Sequence, residues 1–319
     1  MNRVPDLLVE QAREPLRLID SGEVLGASRQ LVLLGDCLTA LVRSGADEPT
    51  LATAVQALVD YVAVSRGESS QAVINGLRLM AAPALTSPAP GRALADDIET
   101  AVAAFRASLQ AWMTSVRSHA TQRLSTGATF LAYDYSSTVS QVLAELRRGG
   151  GAVTVFLPEA RSLDGGVKYL ADWQDLGITA HLIPDSALGW ALNQCDAALA
   201  GAETLSAEGG CYNTIGTALA AHEAHRLGIP FYILSVLLKT DPRTAAGQRR
   251  VPTLDFTLRR YSAVRLRAGS VEILGDFPDL DYTPPTVITG LITERGILEP
   301  AHIAEAASSL LGEGVTAHG

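Results

Sequence analysis

Four short stretches carry side chains that could do chemistry, and each directly follows a short apolar run. The first is Tyr133-Asp134-Tyr135-Ser136-Ser137-Thr138. Here a carboxylate and three hydroxyls precede an amphipathic stretch. Backbone N–H groups at a helix start, together with the Ser and Thr hydroxyls, could hold a phosphate; the plainer use of Ser136 or Ser137 is as a helix N-cap. The second is Pro158-Glu159-Ala160-Arg161-Ser162. Arg161 offers a planar fork to an anionic ligand, or to Glu159 in an ordinary ion pair. The third is Gly201-Ala202-Glu203-Thr204, running on to Glu208-Gly209-Gly210-Cys211-Tyr212-Asn213-Thr214-Ile215-Gly216-Thr217. Glu203 is placed for acid/base work, and the glycines would let backbone approach a ligand closely. Asn213 could serve a ligand or cap the helix that follows. Cys211 reads as a small packed residue, since no His is near it in sequence. The fourth is Lys239-Thr240-Asp241-Pro242, where Lys239 either neutralises a phosphate or is simply solvated. His222 and His225 have a spacing that can bind metal, but no third ligand stands near. No metal is assigned and no cofactor is called for.

The elements that must position these loops fall into two rhythms. Leu31, Leu34, Leu38 and Leu41, then Leu51, Val55, Leu58 and Val62, recur at helical spacing. Asp47, with Glu48, Pro49 and Thr50 after it, marks a helix start. Ala82 to Arg92 reads as a connection and Leu94 to about Arg123 as a long helix. Short apolar runs then alternate with amphipathic stretches: strands at Thr129–Ala132, Val153–Leu157, Thr179–Ile183, Ala197–Ala200 and Phe231–Leu234, with helices at Val139–Arg147, Val167–Leu176, Ala187–Asn193 and Ile215–Leu227. The Phe231 run closes the series. Such alternation implies right-handed crossovers and a parallel sheet, whose ligands bind beyond the carboxyl ends of the strands. From Pro300 the chain reads as one helix and a loose tail.

Composition bounds the partners. The chain has 319 residues, 47% hydrophobic, 18% charged and 5% aromatic, enough apolar material for a large aliphatic core. A net charge of −9 disfavours a broad nucleic-acid interface. Cys37, Cys195 and Cys211 form no disulfide framework and point to a reducing compartment. Met1 to Gln11, with Asp6 and Glu10, does not read as a signal peptide, and no run reaches the ~18 apolar residues of a membrane span. The expectation is a cytoplasmic protein. Arginine far ahead of lysine suggests a bacterium of high GC content.

In this order the loops resemble the initiation factor 2B alpha/beta/delta superfamily, which also contains methylthioribose-1-phosphate isomerase and ribose-1,5-bisphosphate isomerase. The likeness covers about Phe130 to Ile297 and, more thinly, Ser21 to Met80. It rests on Gly201-Ala202-Glu203, Glu208-Gly209-Gly210, Asn213-Thr214-Ile215-Gly216-Thr217, Ile229-Pro230-Phe231-Tyr232, Asp281-Tyr282-Thr283-Pro284-Pro285 and Thr293-Glu294-Arg295-Gly296. Ser136 with Thr138 and Val139, Glu159 with Arg161, and Pro184-Asp185-Ser186-Ala187 fit the intervening loops. The resemblance implies an N-terminal helical domain, a Rossmann-like domain, a phosphosugar pocket at the sheet edge and dimerisation through the C-terminal domain. It also implies that the isomerases' cysteine position is Asp134, their aspartate position Glu203, and their Asn-Lys pair Asn213-Thr214. Tyr135-Ser136 and Gly201-Ala202-Glu203 look more like the alpha subunit. Ser65-Arg66-Gly67-Glu68-Ser69 and Gly26-Ala27-Ser28 resemble loops that complete the site; Arg66 would then contact a phosphate, or else be a helix-end arginine near the dipole.

The resulting expectation is an α/β protein, with a helical N-terminal domain over 1–122 followed by a Rossmann-like domain with a mainly parallel sheet over 123–319. It would bind a small phosphorylated ligand, a sugar phosphate or nucleotide, through Arg66, Tyr135, Ser136, Arg161, Asn213 and Lys239. It would form a homodimer and bind neither nucleic acid nor membrane. The alternative is an isomerase or other biosynthetic enzyme using Asp134 and Glu203 as an acid/base pair, the two carboxylates pushing each other's pKa values apart.

Overall fold

The computed structural model describes residues 8–312 apart from 22, 25, 67–69, 87–92, 161–163, 247–252, 255–276 and 279. Arg161, singled out above, lies outside the described residues, as do Gly67, Glu68, Ser69 and the tail expected at the C-terminus.

Five helices come first: α1 (Glu10–Asp20), α2 (Ala27–Arg43), α3 (Glu48–Ser65), α4 (Gln71–Leu85) and α5 (Leu94–Leu124). The residues recurring at helical spacing on α2 and α3 are all buried, as an amphipathic stripe requires. Asp47 caps α3 by accepting from the Thr50 N–H at 3.0 Å, with Pro49 in the first turn where its missing N–H costs nothing. The connection expected from Ala82 starts later, because α4 carries Pro83 within its last turn.

The second part runs β1 (Thr129–Tyr133), α6 (Ser137–Arg148), β2 (Thr154–Pro158), α7 (Gly165–Asp172), β3 (Thr179–Ile183), α8 (Leu188–Leu192), β4 (Ala197–Ala200), β5 (Thr204–Ser206), β6 (Cys211–Thr214), α9 (Thr217–Leu227), β7 (Phe231–Leu234), β8 (Thr240–Asp241), β9 (Thr253–Leu254), β10 (Phe277–Pro278), β11 (Leu280–Thr283), β12 (Gly290–Thr293), β13 (Gly296–Leu298) and α10 (Ile303–Leu311). Seven strands form one sheet in the order β13-β12-β7-β4-β1-β2-β3, parallel except for β13 against β12. The Phe231 strand therefore does not close the series: β12 pairs beside it after a long excursion. A second sheet, β11-β6-β5-β8, stands beyond the main one.

Strand alternation sends successive side chains to opposite faces. Phe130, Ala132, Val155, Leu157, Leu199, Tyr232 and Leu234 join one apolar cluster with the buried residues of α1 to α6. Leu131, Tyr133, Phe156, Ala198, Ala200, Phe231 and Ile233 join the other with α8, α9 and Ile303. The inner strands are covered on both faces, which is why they read as continuous apolar runs, while β3 at the edge is mostly exposed. The helical region is thus packed directly on one face of the sheet; His119 on α5 also bonds through Nδ1 to the Thr293 carbonyl at 2.8 Å.

Candidate functional site

From β1 the chain winds outward to β2 and β3 on one side; from β4 it winds to β7 and β12 on the other. The switch point lies between β1 and β4, where Tyr133 is paired with Ala200. The crevice beyond the carboxyl ends at such a point is where open α/β sheets bind ligands. Asp134 leaves β1 here, and Glu203 follows β4.

Asp134 is 8% exposed and adopts a left-handed backbone at φ 55°, a conformation that Asp tolerates better than most residues. Its Oδ2 accepts from the Thr214 hydroxyl at 2.5 Å. Its Oδ1 lies against the start of α7, where a Cβ on Gly165 would overlap it. Among the described residues no cation pairs with it. Ala160 and Asp164, on the loop after β2, are also left-handed at φ 46° and 54°. Strained non-glycine residues gathered at one edge mark places where the surroundings over-determine the backbone.

The loop after β1 is held from α7. The Tyr169 hydroxyl donates to the Asp134 carbonyl at 2.8 Å and accepts from the Ser136 N–H at 3.1 Å. Asp172 accepts from the hydroxyls of Tyr135 at 2.8 Å and Ser140 at 2.6 Å. Burial and the Asp172 carboxylate push the Tyr135 phenol up to about 12. The Ser136 hydroxyl accepts from the Val139 N–H at 3.4 Å, so the capping role is realised, while Gly201 passes close beside the same side chain.

Glu203 is exposed, and among the described residues its carboxylate has no partner. Its backbone N–H donates to the Tyr212 carbonyl at 3.0 Å, which fixes the loop to the second sheet. Lys239 is not simply solvated: Nζ donates to the Ala202 carbonyl at 2.5 Å, bringing the loop after β7 to the loop of Glu203. Asn213 is buried and donates to the Thr217 hydroxyl at 3.0 Å. The cap on α9 comes instead from Asp281, whose carboxylate accepts from the N–H groups of Gly216 at 2.6 Å and Ala218 at 3.1 Å. Gly209 and Gly210 serve packing: Gly209 is at φ 89°, and side chains at the two positions would overlap Pro300 and Tyr282. Arg66 closes α3 and donates to Gln30 Oε1 at 3.3 Å. His222 and His225 are exposed on α9, and Cys211 is wholly buried with its thiol pushed up to about 12 by burial.

The structure therefore gathers Asp134, Ser136, Glu203 and Lys239 at one edge of the sheet. Tyr135 is tied to Asp172 and Asn213 to Thr217. Thr214, Tyr169 and Gly165 carry the site's geometry without having been singled out as site residues. The Asp164-Gly165-Gly166 run opening a helix was the available signal for the last of these; the other two act through partners 80 and 35 residues away, which no local pattern reveals.

A helical region packed on a mostly parallel sheet, with carboxylate and hydroxyl loops at the switch point, defines an α/β protein with a Rossmann-like sheet. Residues 33–300 match the Initiation factor 2 subunit family, and the chain belongs to that family. Methylthioribose-1-phosphate isomerase from Thermus thermophilus is 34% identical to it over 51% of this chain and 50% of the relative, so the matched part spans about half the length of that relative. Ribose 1,5-bisphosphate isomerase from Haloferax volcanii is 25% identical over 98% of this chain and 96% of its own. The Pyrococcus horikoshii translation initiation factor eIF-2B superposes with a TM-score of 0.74 at 23% identity, over 92% of this chain and 98% of that one, and shares the fold. No helix among the described residues is long and apolar enough to cross a membrane.

Proposed function

We propose that this chain binds a sugar phosphate or nucleotide at the switch-point edge and is not a standard aldose–ketose isomerase. The observation that carries the reading is the state of Asp134, the position at which the resemblance expects the isomerase cysteine. Its carboxylate is held by Thr214 at 2.5 Å and is seated against Gly165. A carboxylate offers neither the nucleophilicity nor the neutral-pH protonation of a thiol. Glu203 is one methylene longer than the aspartate expected there, and catalytic placement tolerates only about 0.5 Å of error. Lys239 supplies a cation at the same edge, and Arg66, Arg161, Tyr135, Ser136 and Asn213 belong to the proposed binding set. The same proposal includes a cytoplasmic homodimer formed through the C-terminal domain, which sedimentation of the full chain would test.

The experiment is a thermal-shift series with ribose 5-phosphate, ribose 1,5-bisphosphate, 5-methylthioribose 1-phosphate and adenosine monophosphate, followed by NMR of the mixtures. A raised Tm without product supports the reading; product overturns it, and no shift with any compound removes the phosphorylated ligand class.

A second reading has one observation in its favour. Asp134 and Glu203 leave neighbouring strands, paired at Tyr133 and Ala200, so both carboxylates stand at the switch point. In an opened aldose phosphate one would take the C2 proton as base, and the other would protonate the carbonyl oxygen. The resulting enediol would collapse to the ketose as the protonated carboxyl returns its proton to C1 and the other carboxylate, left deprotonated by the first step, takes the proton of the C2 hydroxyl. Turnover that survives in both Asp134→Asn and Glu203→Gln would sink this mechanism.

A further inference from the structure

The backbone on both sides of Lys239 is held from the helical region. Asn75, on α4, is completely buried. Its amide nitrogen donates to the Leu238 carbonyl at 2.9 Å and to the Thr240 carbonyl at 2.9 Å. Its Oδ1 accepts from Gln71 Nε2 at 3.0 Å. Gln71 Oε1 in turn accepts from Arg243 Nη2 at 3.0 Å, and the Arg243 guanidinium pairs with Asp241 at 2.7 Å. From the other side, the Glu294 carboxylate accepts from the Leu237 N–H at 3.0 Å. A buried amide costs free energy unless its groups are paired, and Asn is a weak helix former. Here both ends of the amide are satisfied, and the two carbonyls it grips are those that flank one residue. That residue's ammonium reaches the Ala202 carbonyl, next to Glu203.

We propose that Asn75 is a positioning residue for Lys239. By clamping the carbonyls before and after it, Asn75 fixes the direction in which the lysine leaves the backbone and so places the cation beside the Glu203 loop. The helical region thereby sets the geometry of a site whose charged groups stand on the sheet. The proposal rests on the reading that Lys239 belongs to the ligand site.

The chain holds two lysines, Lys168 and Lys239, and Lys168 is exposed on α7. Acylation of the full chain by succinimidyl acetate, followed by peptide mass spectrometry, therefore gives one reporter and one internal control. Asn75→Leu removes both donations while keeping a side chain branched at Cγ with the same number of heavy atoms; the expected result is Lys239 acylation roughly tenfold faster with Lys168 unchanged, as lost hydrogen bonds raise local opening. An unchanged Lys239 rate, or equal rises at both lysines, overturns the proposal. Gln71→Met leaves Asn75 in place but frees its amide to turn. It is expected to speed Lys239 about threefold. Where Asn75→Leu does not fold, an unchanged Lys239 rate or equal rises in Gln71→Met overturn the proposal instead. Calorimetric titration with ribose 5-phosphate adds the coupling. The expected result is that Asn75→Leu with Lys239→Ala loses no more affinity than Lys239→Ala alone; additive losses overturn the positioning role. An affinity unchanged by Lys239→Ala would instead remove Lys239 from the site, while the acylation rates would still decide what Asn75 does.

Discussion

The Thr214 hydroxyl donates to Oδ2 of Asp134 at 2.5 Å, joining the end of β6 to the end of β1. The family resemblance presents these positions as two separate departures, a lysine exchanged for threonine and a cysteine for aspartate. In the structure they are one unit. The hydroxyl orients the carboxylate and brings no cation to it, so the oxygens of Asp134 are held in one place at the switch point. A ligand seated there would meet an acceptor, and its own hydroxyls rather than a phosphate would face it.

Thr214→Val tests that unit. Valine matches the shape but leaves Oδ2 of a buried carboxylate without its donor. The expected cost is about 1–3 kcal/mol of unfolding free energy, read by urea denaturation, with Thr214→Ser restoring most of it. A valine variant as stable as the parent would show that water or a rotated side chain replaces the hydroxyl.

Tyr169→Phe tests the support behind the same loop. The phenol both donates to the Asp134 carbonyl and accepts from the Ser136 N–H, and burial pushes its pKa up, so it stays protonated. Removing one oxygen leaves two backbone groups without this partner, the Asp134 carbonyl buried and the Ser136 N–H half-buried. Each is worth about 1 kcal/mol or more, and hydrogen exchange of residues 134–137 should speed up by roughly tenfold or more. An unchanged exchange rate would mean that the ring alone holds the loop.

The strands at Ala197–Ala200 and Phe231–Leu234 agree to the residue with their apolar runs, because Asp196, Gly201, Pro230 and Ser235 bound them sharply; Thr179–Ile183 agrees as well, closed by Pro184. β12 escaped because its partner β7 is far back in the chain. The β5–β6 pair escaped because Thr204–Ser206 and Cys211–Thr214 are largely polar and form no apolar run. Asp134, Glu203 and Lys239 were legible as post-strand residues, since a parallel sheet places every such loop at one edge. Asn75 and Tyr169 were not, because their roles exist only through partners on distant elements. Asn213 shows the limit of local reading: its place before α9 suggested a cap, yet the carboxylate that caps α9 is Asp281, on β11.

The three cysteines should be inert in the native protein. Cys37, Cys195 and Cys211 are buried, and burial pushes each thiol up to about 12. At neutral pH almost no thiolate is present to attack a reagent. Ellman's reagent is expected to find no fast thiol in the folded chain and three after denaturation. A single thiol reacting within seconds would identify a local opening beside that cysteine.

Asp281 gives a pH prediction with a definite sign. Burial pushes its carboxyl up from 3.8, more than the N–H groups of Gly216 and Ala218 pull it down. The folded state then holds this proton more tightly than the unfolded state. The stabilising contribution is complete below 3.8 and is lost as pH rises through the raised folded value. Asp281→Asn cannot titrate there. Burial also raises Glu294 from 4.5, but both proteins keep that residue, so its effect cancels in the comparison. Urea unfolding of the pair from about pH 3 to about pH 7 should show the parent losing stability relative to the variant across the acid window and a constant difference above it. A parent that gained on the variant as pH rose would show that the amides at the start of α9 outweigh desolvation and that Asp281 caps the helix chiefly as an anion.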